Sequence, residues 1–163
     1  SEVERLLRGV HATVRRVAVY TRVSRGTRRD ALEKQVALLE DYVKKQFPQA
    51  EYIVVKDIAS GLKENRRGLK KLIDLARRKQ VDAVVVAYRD RLARFGYIYL
   101  EELFKAYGVR VIVVFQEEPE DYMRELVEDL IEVVASFAGK IYGKGSHKYR
   151  RVVEAVEQAI KDP

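Results

Sequence analysis

Short apolar segments alternate with segments of helical period along residues 16–118, and this rhythm constrains the fold more than any other feature. The strand-like segments are residues 16–20, 51–56, 81–87 and 109–115. Between them, apolar residues recur every three or four positions, which predicts amphipathic helices, the first over residues 28–47. Strands that alternate with helices form parallel sheets through right-handed crossovers. The sequence therefore predicts an α/β fold with a three-layer, mostly parallel sheet of four to five strands and helices on both faces.

Residues 120–144 depart from this rhythm and predict a long helix after the sheet. Its apolar residues are too widely distributed for packing on one sheet face, so the helix is expected to be buried on two sides. A core helix of a larger fold explains this pattern. We favour a subunit interface, because little chain remains to cover the helix. The candidate interface residues are Leu126, Leu130, Val134, Phe137 and Ile141. Gly143 and Gly145 are predicted to end the helix before a short basic helix over residues 149–160.

The charge of the chain favours a polyanionic partner. The 163 residues include 32 Lys and Arg against 25 Asp and Glu, which gives a formal charge of +7. Bases concentrate in residues 60–79 and acids in residues 116–132, so nucleic acid is expected to contact only part of the surface. No signal peptide or membrane-spanning apolar run is recognisable, and the expected location is the cytoplasm, with no membrane partner.

The composition argues against several kinds of site. The chain contains no cysteine, which excludes disulfides and cysteine-bound metals. His11 and His147 are far apart in the sequence, so a zinc site or a Ser-His-Asp triad is not expected. Asp57 and Asp90 are too isolated to predict a two-metal site. We therefore expect neither a metal nor another cofactor.

Polar residues follow the predicted strands where the carboxyl ends of parallel strands meet. Tyr20, Arg22 and Ser24 alternate at the end of the first strand, so their side chains leave on the same side. The second and third strands are followed by Asp57, Ser60, Arg66 and Arg67, and by Asp90, Arg91 and Arg94. Ligands bind at this edge of open α/β sheets, near helix amino termini that favour anions.

Several arginines near one serine predict phosphate chemistry. Guanidinium groups repel one another unless an anion lies between them, and they bind phosphate oxygens through two parallel hydrogen bonds. Positive charge beside Ser24 would ease loss of its hydroxyl proton and stabilise a pentavalent transition state. Taken alone, the stretch from Tyr20 to Ser24 is also explained by a turn serine that caps a helix and by solvated arginines.

The chain resembles the catalytic domain of the serine recombinases, the resolvase and invertase family. The matching segments are Tyr20-x-Arg22-x-Ser24, Gln35 on the first helix, Asp57-x-x-Ser60-Gly61, Arg66-Arg67-Gly68-Leu69 and Asp90-Arg91-Leu92-x-Arg94. They occur in the family's order across most of residues 16–114. The resemblance implies that Ser24 is the nucleophile, joined transiently to a DNA 5′ phosphate while a 3′ hydroxyl leaves.

The resemblance also implies roles for the surrounding residues. The residues that would hold the scissile phosphate are Arg22, Arg66, Arg91 and Arg94. The supporting residues would be Tyr20, Gln35, Asp57, Ser60 and Asp90, with Asp57 or Arg91 as proton carriers. No metal or nucleotide cofactor is implied, because the phosphoserine bond conserves the energy for rejoining. The partners would be double-stranded DNA and further copies of the chain, as dimers that pair into a synaptic tetramer through residues 120–144.

The chain departs from the resolvases at both ends. The helix predicted after the long helix is too short to form their helix-turn-helix domain. A subgroup borne on insertion sequences instead carries a MerR-like DNA-binding domain in front, and residues 1–8 resemble its last helix. Residues 100–108 also resemble that subgroup. We therefore expect residues 1–15 to be the remnant of a preceding DNA-binding domain and linker, 16–118 the catalytic domain, and 119–163 the interface helix and a short terminal helix.

The remaining assignments concern basic residues. The expected DNA-contacting residues are Arg25, Arg67, Lys148, Arg150 and Arg151. Resolvases carry a further active-site arginine on the long helix, for which Lys140 and Lys144 are the candidates here.

Two alternative functions stay open from the sequence. A regulatory α/β domain would bind DNA or a partner without cutting, and a metal-dependent nuclease would cut DNA without using Ser24. A covalent protein–DNA adduct that depends on Ser24 would argue against both.

Overall fold

A parallel four-stranded sheet organises the first of the two units into which the chain divides. The computed structural model describes residues 14–27 and 29–161; the first unit ends at Glu118 and the second begins at Pro119. The strands are β1 (Arg16–Val23), β2 (Glu51–Ile58), β3 (Ala83–Val86) and β4 (Arg110–Val113), in the order β2-β1-β3-β4. The interpretation of residues 1–8 as a helix end lies outside the described residues.

Strand β1 pairs with both β2 and β3 and is longer than its apolar run predicts. Its register with β2 continues from Arg16 opposite Glu51 to Val23 opposite Ile58. The prediction for this strand ends at Tyr20, whereas pairing with β2 keeps the backbone extended to Val23. Conversely, β3 and β4 are shorter than their apolar runs. The extension of β1 places Arg22 inside the sheet.

Helices cover both faces of the sheet, which confirms the predicted three-layer α/β architecture. The three helices of the first unit are α1 (Arg29–Gln46), α2 (Arg67–Arg77) and α3 (Tyr97–Ala106). Leu39 and Val43 of α1 pack with one face of the sheet, whereas Leu72 of α2 and Phe104 of α3 pack with the other. A short 3-10 segment, Arg89–Arg91, follows β3.

The second unit contains the long helix α4 (Tyr122–Tyr142) and the helix α5 (His147–Lys161). Gly143 and Gly145, with φ of 88° and 85°, lie between them in the left-handed region that favours glycine. Within the described parts of the chain, no helix is both long and apolar enough to cross a membrane.

Candidate active site

The candidate site lies at the carboxyl end of β1, where the strand order reverses. Strand β1 has β2 on one side and β3 on the other, and α1 covers a different face from α2 and α3. Ligands of open α/β sheets bind at this kind of switch point. Tyr20 belongs to the core on the α2 side, together with Ala18, whereas Val17 and Val19 belong to the core on the α1 side.

A buried phenol connects a carboxylate to an arginine at this edge. Tyr20 Oη donates to Asp57 Oδ2 at 2.6 Å, and Arg66 Nη1 donates to Tyr20 Oη at 2.9 Å. Burial raises the pKa of the Tyr20 phenol; the positive charge of Arg66 opposes this effect, and the hydrogen bond to Asp57 adds to it. Tyr20 therefore connects the end of β2 to the start of α2 while it stays protonated.

The carboxylate of Asp57 also binds the first turn of α2. The backbone N–H groups of Gly68 and Leu69 donate to Asp57 Oδ1 and Oδ2 at 2.8 and 2.9 Å. Exposed N–H groups and the helix dipole favour a negative charge at this position. A Cβ atom on Gly68 would lie only 2.6 Å from Asp57 Oδ2, which explains why glycine follows Arg66-Arg67 in the motif.

The guanidinium group of Arg22 is completely buried and donates to backbone carbonyl oxygens of two loops. Its Nε, Nη1 and Nη2 atoms donate to the carbonyl oxygens of Arg91, Ala59 and Asp90 at 3.2, 3.0 and 2.8 Å. The Asp90 carboxylate lies 3.6 Å from Nη2. Hydrogen bonds and an opposite charge of this kind offset the cost of burying a cation.

Arg66 and Arg91 extend the same network. Arg66 donates to the carbonyl oxygens of Lys63, Arg91 and Leu92 in addition to Tyr20. Arg91 Nη1 donates to the carbonyl oxygen of Arg22 at 3.0 Å, so the loop after β3 is bound directly to the end of β1.

Asp90 holds the arginines of the third loop. Its carboxylate accepts a hydrogen bond from Arg94 Nη1 at 3.1 Å and lies 3.8 Å from Arg91 Nε. The backbone N–H of Arg94 donates to the Gly61 carbonyl oxygen at 3.2 Å. The structure therefore brings the second and third loops together, as the sequence predicts.

The clustered arginines have acceptors within the protein, and one of these is an anion, the carboxylate of Asp90. Backbone carbonyl oxygens, Tyr20 and the Asp90 carboxylate supply partners within the protein. Sequence patterns reveal the arginines but not these acceptors, because a carbonyl oxygen is present at every position of a chain.

Gln35 and Ser60 occupy supporting positions. The Gln35 amide brackets the Arg22 peptide: its Oε1 accepts from the Arg22 N–H at 3.2 Å, and its Nε2 donates to the Arg22 carbonyl at 3.4 Å. Ser60 Oγ accepts from the backbone N–H of Leu62 at 3.1 Å and shapes the loop after β2. Gln35 thus connects α1 to the strand end that carries the candidate nucleophile.

Ser24 begins a turn immediately after β1 and is 5% exposed. Its Oγ lies 2.8 Å from the Oγ1 of Thr27, a residue for which the sequence motifs predict no role. The sequence does contain a feature that indicates this contact: Thr27 is a second hydroxyl residue three positions after Ser24, in a loop that contains glycine. This arrangement is typical of a turn closed by side chains.

The residues predicted to contact DNA or to form the subunit interface are distributed over both units. The basic residues Arg25, Arg67, Lys148, Arg150 and Arg151 are all exposed. On α4, Leu130, Phe137 and Ile141 are exposed, whereas Leu126 and Val134 are partly buried. The candidate interface residues therefore contribute an apolar stripe to the surface of the second unit.

Carboxylate and imidazole side chains do not form a metal cluster in the residues that the structure describes. Asp57 and Asp90 instead have the hydrogen-bonding and charged partners described above.

The sequence and the fold are similar to those of known proteins. The family model described as Resolvase, N terminal domain matches residues 17–159. Putative resolvase R80 of Acanthamoeba polyphaga mimivirus is 40% identical over 131 residues, which cover 80% of this chain and 65% of the viral protein. Putative resolvase R771 of the same virus is 41% identical over 125 residues, which cover 76% and 63%. The chain thus spans less than two thirds of the length of these relatives.

Solved structures match over most of their length. The C-terminal catalytic domain of ISC1926 TnpA, an IS607-like serine recombinase, is 47% identical with a TM-score of 0.80, and the match covers 90% of this chain and 99% of that domain. A serine recombinase from Sulfolobus solfataricus is 44% identical with a TM-score of 0.69, and the match covers 88% and 97%.

Proposed function

The chain belongs to the resolvase family of serine recombinases, and from that premise we propose that it cuts and rejoins DNA through a covalent bond to Ser24. The Ser24 oxygen attacks a backbone phosphorus, a P–Oγ bond forms, and the bond from phosphorus to the 3′ oxygen breaks. The proton lost by Ser24 is balanced by the proton that the departing 3′ oxygen gains. Rejoining reverses these steps, so the exchange consumes neither water nor an external energy source.

The observation that carries this proposal is the convergence of arginines from three segments on the end of β1, next to Ser24. Arg22 precedes Ser24 by two residues, and both Arg66 and Arg91 are hydrogen-bonded within the network around Arg22. Positive charge in a poorly solvated site stabilises the negative charge that develops on an attacked phosphate. A single donor of this kind contributes on the order of 10²–10³ in rate.

We assign different roles in the proposed reaction to the buried and to the exposed arginines. Arg22 and Arg66 are buried and donate to the protein through each nitrogen of their guanidinium groups. Arg25 and Arg67 are exposed to solvent. We assign the approach of the DNA backbone to this exposed pair and the stabilisation of transition-state charge to Arg22, Arg66, Arg91 and Arg94.

The contacts of Asp57 favour a positioning role over proton transfer. Both carboxylate oxygens accept hydrogen bonds, from Tyr20 and from the first turn of α2. Both oxygens are thus engaged in holding β1, β2 and the start of α2 together. We therefore assign Asp57, Tyr20, Gln35, Ser60 and Asp90 to holding the loops, in a reaction that uses no metal ion or other cofactor.

Assembly and DNA contact outside the site form a further part of the proposal. The exposed stripe of Leu130, Phe137 and Ile141 on α4 suits an interface between copies of the chain, because it offers apolar area for burial. The exposed Lys148, Arg150 and Arg151 on α5 offer phosphate contacts. We propose a homodimer that pairs into a synaptic tetramer on double-stranded DNA. We propose the cytoplasm as the location of this assembly.

A strand-labelling experiment tests the reaction. The chain is incubated with random-sequence DNA duplexes nicked so that the short 3′-hydroxyl product dissociates after cleavage, and covalent adducts are separated on denaturing gels. Label at the 3′ end of the cut strand should remain with the protein, whereas label at the 5′ end should leave with the short product. Ser24→Ala should abolish the adduct.

The same experiment separates the alternatives. A regulatory domain would bind the duplexes without forming an adduct. A metal-dependent nuclease would cut them without an adduct, would stop in the presence of a chelator and would be indifferent to Ser24→Ala. An adduct that persists in the Ser24→Ala variant would show that another residue is the nucleophile.

A further inference from the structure

The side chain of Thr27 is fixed next to the proposed nucleophile. The two hydroxyl oxygens of Ser24 and Thr27 are 2.8 Å apart, and the backbone N–H of Thr27 donates to the Ser24 carbonyl oxygen at 3.1 Å. A side-chain and a backbone hydrogen bond therefore close the same turn. Because Ser24 is nearly buried and Thr27 is partly buried, water has restricted access to this contact.

Resting on the function proposed above, we propose that Thr27 is a positioning residue that acts through Ser24. Before reaction, either hydroxyl is able to donate to the other. Once Ser24 gives up its proton to attack phosphorus, its oxygen can only accept, and Thr27 becomes the donor. A hydrogen bond to a charged oxygen is stronger than one between neutral hydroxyls, so this contact strengthens as the transition state forms.

A chemical role and a structural role of the Thr27 hydroxyl predict different effects of replacing Thr27 by valine. The backbone bond from Thr27 to Ser24 needs no hydroxyl and would persist in Thr27→Val, whose side chain has nearly the same shape. A turn that Thr27 merely shapes would therefore survive this replacement. An interaction that favours only the transition state lowers the barrier without tightening DNA binding.

The covalent intermediate supplies a second criterion. During rejoining, the Ser24 oxygen is the leaving group and develops the same negative charge that it carries during attack. The loss of the Thr27 hydroxyl should therefore slow cleavage and rejoining by equal factors and leave the equilibrium between intact and covalently bound DNA unchanged.

The experiment compares Thr27→Val with Thr27→Ser, which restores a hydroxyl. Thr21→Val is the matched control, because it makes the same replacement in β1, where the Thr21 hydroxyl faces the Val55 carbonyl oxygen at 3.5 Å. Single-turnover adduct formation is measured on the nicked random-sequence duplexes, and rejoining is started by adding an excess of the 3′-hydroxyl strand. Fluorescence anisotropy gives the DNA affinity, and thermal melting shows whether each variant is folded.

We expect Thr27→Val to slow both steps by about 10- to 100-fold with unchanged DNA affinity, and Thr27→Ser and Thr21→Val to stay near the unmodified rate. If Thr27→Val does not fold, Thr27→Ala is expected to show the same pair of reduced rates. Unchanged rates, a loss confined to DNA affinity, or no recovery in Thr27→Ser would overturn the role of Thr27 while leaving Ser24 as the nucleophile. Absence of a Ser24-dependent adduct in the unmodified protein would overturn both proposals.

Discussion

Replacing Tyr20 by phenylalanine removes one oxygen atom that joins three segments of the site. In the native chain this oxygen donates to Asp57 at 2.6 Å and accepts from Arg66 at 2.9 Å. The phenyl ring would remain in the core between the sheet and α2, so Tyr20→Phe tests the hydroxyl with little change in packing.

The expected loss of stability follows from the partners that remain. A hydrogen bond to a charged group contributes about 1.5–3 kcal/mol. Asp57 keeps its bonds from the first turn of α2, and Arg66 Nη1 keeps the Arg91 carbonyl oxygen, so neither charged group is left without a partner. We therefore expect Tyr20→Phe to lower the free energy of unfolding by about 2–4 kcal/mol near pH 8.

The dependence on pH identifies the hydroxyl as the cause. Burial raises the pKa of the Tyr20 phenol above its ordinary value of 10.0. The stability that comes from the protonated phenol is fully present below pH 10 and is lost as the pH rises through the raised pKa. Above pH 10, the free energy of unfolding of the unmodified chain should therefore fall by about 1.4 kcal/mol per pH unit relative to that of Tyr20→Phe. The difference in stability between the two proteins becomes smaller as the pH rises.

Urea unfolding followed by circular dichroism at pH 8 and between pH 10 and 11 measures both effects. Tyr52→Phe is the matched control, because Tyr52 also donates to a carboxylate, Glu40, at 2.6 Å but is only partly buried. Tyr52→Phe should lower the free energy of unfolding much less than Tyr20→Phe does. A difference for Tyr20→Phe that is no larger than that of the control, or that does not vary above pH 10, would refute the reasoning.

The remaining predictions concern packing and assembly. Gly68→Ala should lower the free energy of unfolding by about 1–3 kcal/mol in urea denaturation, because its Cβ would lie 2.6 Å from Asp57 Oδ2. Gly139→Ala on α4 should be neutral or stabilising, since the nearest atom to its Cβ would be at 3.7 Å. Phe137→Ser should reduce the oligomeric state measured by sedimentation velocity, whereas Leu38→Ser, at an exposed position on α1, should not. An unchanged oligomer in Phe137→Ser would argue against the α4 interface.

Local patterns predicted the order and type of the elements well. The apolar run around Val84 and the helical spacing of Leu39 and Val43 describe how a segment buries its own side chains, and burial follows the same period wherever the segment packs. Parallel topology then places the carboxyl ends of β1, β2 and β3 at one edge of the sheet, which predicts that Arg22, Asp57 and Asp90 lie close together.

The sequence by itself determined that an α/β domain would bring arginines to a serine at the end of its first strand, because periodicity and chain order suffice for that. Only the tertiary structure decided that β1 continues to Val23, that carbonyl oxygens from two loops surround Arg22, and that Thr27 lies against Ser24. These features depend on the strand register and on the backbone path of loops distant in sequence. No residue-type pattern encodes them, since every residue carries the same carbonyl group and most turns accept several kinds of residue.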